Sequence, residues 1–137
     1  MPPPTARGWF EADGPGETAL VYRAPDGTDV LILSCAQATH SLTAAIPTAY
    51  AEPLPEGVTG TLFLGTAELV GPAERVDVEP IDVLQISLPL TAEMLTALTG
   101  ATTARLVVAD VFGEAEFTDP TVLGPFAERC GVLAGLR

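Results

Sequence analysis

Glycine and proline, thirteen of each in 137 residues, cut this chain into short pieces, and that punctuation limits its fold more than any other feature. No apolar run exceeds four residues: VLIL at 30–33 is among the longest, and LFL at 62–64 is shorter. A membrane helix needs roughly 20 consecutive apolar residues, so no membrane span is expected and the chain reads as soluble. Hydrophobic residues still make up 47% of the sequence, a share that disordered chains do not reach. A chain of this length forms one domain and buries roughly two-thirds of the surface its unfolded form exposes. The expectation is a Pro- and Gly-rich lead-in over 1–8 and a single β-rich domain over 9–137.

Between the breaks the residues favour strands. TALVYR at 18–23 and VLILSC at 30–35 flank APDG at 24–27, whose Pro, Asp and Gly stand in the order a tight turn uses, and together they predict a hairpin. SLTAAI at 41–46 predicts a third strand, and the three prolines of 47–57 make that stretch a connection rather than a central strand. Further strands are expected at 59–70, 74–81, 83–90 and 103–112, with a short one at 114–118. In 74–81, Val76 and Val78 alternate with Arg75, Asp77 and Glu79, the pattern of a strand with one wet face.

Two helices interrupt the strands. Thr91 is an N-cap residue, Glu93 lies in the first turn where it complements the helix dipole, Met94, Leu95 and Leu98 are apolar, and Gly100 is the stop. A second helix is predicted to open at Asp119–Pro120, to place Val122, Leu123, Phe126, Ala127 and Cys130 on one face, and to end near Gly131. Seven or eight short strands without βαβ alternation predict a mainly β fold: an antiparallel β-sandwich or partly closed barrel with two short helices. An α+β sheet with helices on one face is the alternative.

Charge narrows the partners. Eighteen acidic residues against six arginines and no lysine give a net charge of −12, a field that repels phosphate backbones, so direct nucleic-acid binding is not expected. The bias toward Ala, Gly, Pro, Val and Leu with no Lys or Asn is what a GC-rich bacterial genome encodes. The carboxylates form no run of five, so they read as a solvated surface. Gathered on one folded face, they would instead imitate a nucleic acid.

Candidate chemistry is sparse. Cys35 and His40 flank a turn, and the simplest hairpin register sets them opposite each other on the face of Leu33 and Leu42. A thiol beside an imidazole is how nucleophilic cysteines are activated, but no oxyanion loop or helix start adjoins Cys35. Zinc would need a further ligand besides Cys35, His40 and Cys130, and no CxxC knuckle is present. The preferred reading pairs Cys35 with Cys130, a structural disulfide closing a loop of about 95 residues and stabilising by roughly 4 kcal/mol in the chain-entropy model. In a reducing compartment both would be small buried hydrophobes.

Other signals point to no reaction. No GxSxG occurs, and a phosphate loop near Gly65 and Gly71 would require a lysine the chain lacks. Glu114 and Glu116 share a strand face, as a general acid/base pair or a solvated edge would. Trp9, Phe10 and Tyr50 are the aromatics with least claim on the core. No catalytic residue, metal site or cofactor is assigned.

Trp9, ALVYRAPDG at 19–27, VLILSC at 30–35 and FAERC at 126–130 resemble the pattern of a group of small uncharacterised exported proteins of GC-rich bacteria: an early tryptophan, a strand ending in a Pro-Gly turn, a strand closing on cysteine, and a terminal F-x-x-x-C. That resemblance implies a disulfide and a periplasmic address. The opening MPPPTARGWF lacks the apolar stretch of a signal peptide; as written the chain is expected to be cytoplasmic, and if a signal was trimmed, periplasmic or secreted. The functional expectation is a non-enzymatic β-sandwich module that binds a protein or a small apolar ligand, or joins a structural assembly. The alternatives are an acidic inhibitor that imitates a nucleic acid, and a cysteine hydrolase using Cys35 and His40.

Overall fold

The computed structural model of the chain describes residues 9–11, 16–23, 29–47, 57–78, 81–101, 103–108, 111–116 and 123–135. Those residues form nine strands and two helices: β1 (Trp9–Glu11), β2 (Glu17–Arg23), β3 (Asp29–Ala36), β4 (Ser41–Pro47), β5 (Thr59–Leu64), β6 (Ala67–Val78), β7 (Ile81–Pro89), α1 (Ala92–Gly100), β8 (Thr103–Val108), β9 (Val111–Glu116) and α2 (Leu123–Leu133). Every ladder is antiparallel, and the strands lie in the order β1, β2, β3, β4, β7, β6, β5, β8, β9. The mainly β, antiparallel fold expected from the sequence is the fold observed. The sheet curls, for β9 approaches β3 and β8 approaches β4 although they stand far apart in that order. Among the described residues no ladder joins β1 to β9, so the barrel is only partly closed.

The period-2 pattern explains what lies inside. In register, Leu20, Leu33, Ala44, Ile86 and Ala73 form one row across β2, β3, β4, β7 and β6, and Thr18, Cys35, Leu42 and Leu88 form the next. Leu62, Leu64, Ala104, Leu106 and Val108 continue the same buried cluster on β5 and β8, and Met94, Leu95, Leu98, Leu123, Phe126 and Cys130 complete it from the helices. Fully burying a leucine side chain stabilises by about 1.5–3 kcal/mol, so these rows, rather than local propensity, hold the strands in register.

Strand β6 turns the corner. Its first half, through Pro72, pairs with β5 and its second half, from Ala73, pairs with β7. Proline has no N–H to give a ladder, and at this point Ala73 N donates to Val58 O at 3.1 Å while Ala73 stands opposite Ile86. Gly60 and Gly71 are paired across the corner. A Cβ on Gly60 would stand 2.5 Å from Ile86 Cγ2 and 2.9 Å from Val108 Cγ2, and one on Gly71 would stand 2.9 Å from Leu88 Cδ2 and from Ser87 O. Glycine is required there because neighbouring side chains and backbone occupy the space.

The element boundaries differ from expectation in instructive ways. The single strand predicted over 59–70 is two, because Gly65 takes φ +61° and lets Leu64 pair with Ala67 across a two-residue hairpin. The break predicted at 71–73 is absent, since β6 runs through it. The run at 103–112 divides into β8 and β9, with Val108 opposite Val111. Trp9 and Phe10 belong to β1, opposite Tyr22 and Val21. Pro47 is the last residue of β4, paired with Val83.

The helix predicted after Thr91 is α1: Met94 N donates to Thr91 Oγ1 at 3.1 Å, and Thr91 is in extended geometry as an N-cap requires. Gly100 is its last residue, and Ala101 caps it by donating to Leu98 O. Helix α2 continues beyond Gly131 to Leu133, followed by Gly135 at φ +74°. The turn at 24–27, Tyr50, Asp119, Pro120 and Val122 lie outside the described residues.

Candidate functional site

Helix α2 is anchored to the sheet at two adjacent points. Cys35 on β3 is disulfide-bonded to Cys130, with the two Cα atoms 5.5 Å apart and both residues fully buried. One residue earlier on the helix, Arg129 Nε donates to Thr18 Oγ1 at 2.9 Å. Thr18 is the register partner of Cys35, so bridge and hydrogen bond sit side by side on neighbouring strands. Thr18 is 3% exposed, and a buried hydroxyl needs such a partner to offset its lost hydration. The Arg129 guanidinium carbon also lies 5.9 Å from the centre of the Phe126 ring, within cation–π range.

This anchoring leaves a groove between the start of β2 and the last turns of α2. Its volume is about 340 Å³, and it is lined by Glu17, Thr18, Glu128, Arg129, Val132 and Leu133. The wall it presents to solvent is almost wholly hydrocarbon. Val132 is 63% exposed, one of two large apolar side chains so placed among the described residues. Helical geometry sets it on the same face as Glu128, four residues earlier. Both Glu17 and Glu128 are exposed.

The Cys35–His40 pair does not assemble. Cys35 stands opposite Leu42, and the turn comprises Gln37–His40, one residue later than the simplest register assumes. His40 is exposed at φ 48°; its N–H donates to Gln37 O at 3.3 Å and its carbonyl accepts from Leu90 N at 2.9 Å. With both cysteines bonded to each other, no thiol is free to act as a nucleophile or metal ligand. Among the described residues no group of three or more His, Cys, Asp and Glu side chains is arranged to hold a metal ion. Glu114 and Glu116 occupy positions on β9 opposite Arg105 and Thr103.

Thr18 and Arg129 escape a reading of the sequence because they meet across 111 positions. The one available signal is that Arg129 immediately precedes Cys130, so a bridge to Cys35 brings the base of its long side chain near the strands beside β3. No family model, no curated protein and no solved structure matches this chain.

Proposed function

We propose that the chain is a non-enzymatic binding module, and that its recognition site is the groove between β2 and α2, taking up an apolar group of a protein or small ligand. The observation that carries this reading is an apolar groove with Val132 exposed at its edge, on a helix fastened to the sheet by a bridge and a hydrogen bond. The groove, about 340 Å³, is shallow and open to solvent, a shape that suits one apolar side chain or a similarly small apolar group. A fastened helix loses little conformational freedom on binding, so apolar burial translates into affinity more fully.

A bridge between two buried cysteines persists in oxidising compartments, which supports a periplasmic or secreted setting, as does the resemblance to exported proteins. No described helix is long and apolar enough to cross a membrane.

The test is a titration of 15N-labelled protein with the neutral dye Nile red. The expected result is saturable shift changes confined to the amides of Glu17, Thr18 and residues 128–133. Changes spread over the sheet, or none at saturating dye, would sink the reading.

A further inference from the structure

Resting on that reading, we infer that the groove is under redox control: it exists while Cys35 and Cys130 are bonded, and it is lost when a dithiol reduces them, because reduction releases α2 from the sheet. The two walls of the groove belong to different elements. Glu17 and Thr18 come from β2, and Val132 and Leu133 from the last turns of α2. The bridge stands beside both, since Cys35 is the register partner of Thr18 and Cys130 lies one helical turn or less from Val132 and Leu133. Whatever lifts α2 therefore removes one whole wall.

Helix α2 depends on its docking. It has 11 residues, a length at which an isolated helix is marginal in water, and Gly124 and Gly131 weaken it further. Its first turn holds no acidic residue and its last turn no basic one to complement the dipole. Leu123 and Phe126 are the large apolar side chains it buries completely, set against the entropy of ordering the whole segment. Helix α1 is better secured: Thr91 caps it, Glu93 complements its dipole, and it lies between β7 and β8 in the chain. Reduction thus loosens α2 before the sheet.

The dithiol supplies all the chemistry. Its thiolate attacks one sulfur of the bridge and breaks the S–S bond; its second thiolate displaces the mixed disulfide, and it leaves as a cyclic disulfide while two protons pass to Cys35 and Cys130. Both cysteines are fully buried, so the attacking sulfur reaches them only when α2 has lifted. A ligand joining both walls must leave first, and occupancy therefore slows reduction.

Nile red titrations and amide NMR spectra of the oxidised protein, and of the same protein in excess dithiothreitol, test the inference. Reduction is expected to weaken dye binding by at least about tenfold, to collapse the amide dispersion of residues 123–133, and to leave Leu62, Leu84 and Leu106 near their oxidised shifts. Dye at about ten times its Kd is expected to slow reduction about tenfold, followed by intact mass after alkylation. Gly60→Ala separates release of α2 from general loss of stability: it strains the β5–β6 corner and keeps the bridge, and should change the oxidised affinity less than about twofold.

Equal dye affinity in the two redox states, or a reduction rate unaffected by bound dye, overturns the redox control and leaves the groove standing. Loss of dispersion throughout the sheet on reduction overturns it too, by showing that the bridge staples the whole fold, as would a loss of affinity in Gly60→Ala as large as that caused by reduction. An oxidised protein that binds no dye removes the groove and its control together.

Discussion

On the α2 side of the molecule a bond is added between elements, Cys35 to Cys130, with the Arg129–Thr18 hydrogen bond beside it. At the β5–β6 corner atoms are left out instead: Gly60 and Gly71 face each other, and Ile86, Val108 and Leu88 occupy the space their side chains would take. Both joints keep the curled sheet closed over one core, but they depend on different conditions. The bridge acts largely through the unfolded chain, by denying it extended conformations, and it is present only while its sulfurs stay oxidised. The glycine corner acts through native packing alone. It is indifferent to reductant and intolerant of a single added methyl group.

The largest effect is expected from Cys35→Ala/Cys130→Ala, which should lower stability in urea unfolding by about 4 kcal/mol. Reductant should have no further effect on that variant while destabilising wild type. If wild type is unchanged by full reduction, the two joints are alike and the comparison breaks. Gly60→Ala should cost about 2 kcal/mol through overpacking against Ile86 and Val108, by the same amount with and without reductant. A cost below about 0.5 kcal/mol would mean the corner yields and does not hold.

Two smaller changes belong to neither joint and calibrate the others. Thr91→Ala removes the acceptor for Met94 N and should cost about 1 kcal/mol, seen as a lower melting temperature. His40→Gly relieves a left-handed residue but loosens the unfolded chain, so a gain of about 0.5 kcal/mol is expected. Redox dependence in either variant would show that the bridge governs more of the fold than the α2 side.

What the sequence discloses and what it hides follow the same division. The strands, the Thr91 cap and the general shape were legible because period-2 burial and capping are local chemistry. The hairpin at Gly65 was hidden inside TGTLFLGTAELV, where apolar residues resume directly after the turn and disguise it as one long strand. Gly71–Pro72 looked like a break because a proline cannot sit in a central ladder; it is tolerated where β6 exchanges one partner for another. His40 faces Cys35 only with the turn at 36–39; the turn at 37–40 slides every partner on β4 by two residues, so Leu42 stands opposite Cys35 on the same face and His40 falls within the turn. The groove was not legible at all, since its walls come from distant parts of the sequence and only the docking of α2 on the sheet brings Thr18 to Arg129.

The order of synthesis gives the bridge a last consequence. Strands β4 to β9 and helix α1 all lie between Cys35 and Cys130, so the first thiol is made long before its partner exists. With two cysteines in the chain there is one intramolecular pairing to find, and no shuffling among wrong pairs can precede it. Until then Cys35 is an unprotected sulfhydryl on a nascent strand, whose alternative is a crosslink to a neighbouring chain. Rapid burial of Cys35 among Leu33, Leu42 and Leu88 would shield it during that interval, and a final oxidation would then act as a latch on a sheet already assembled.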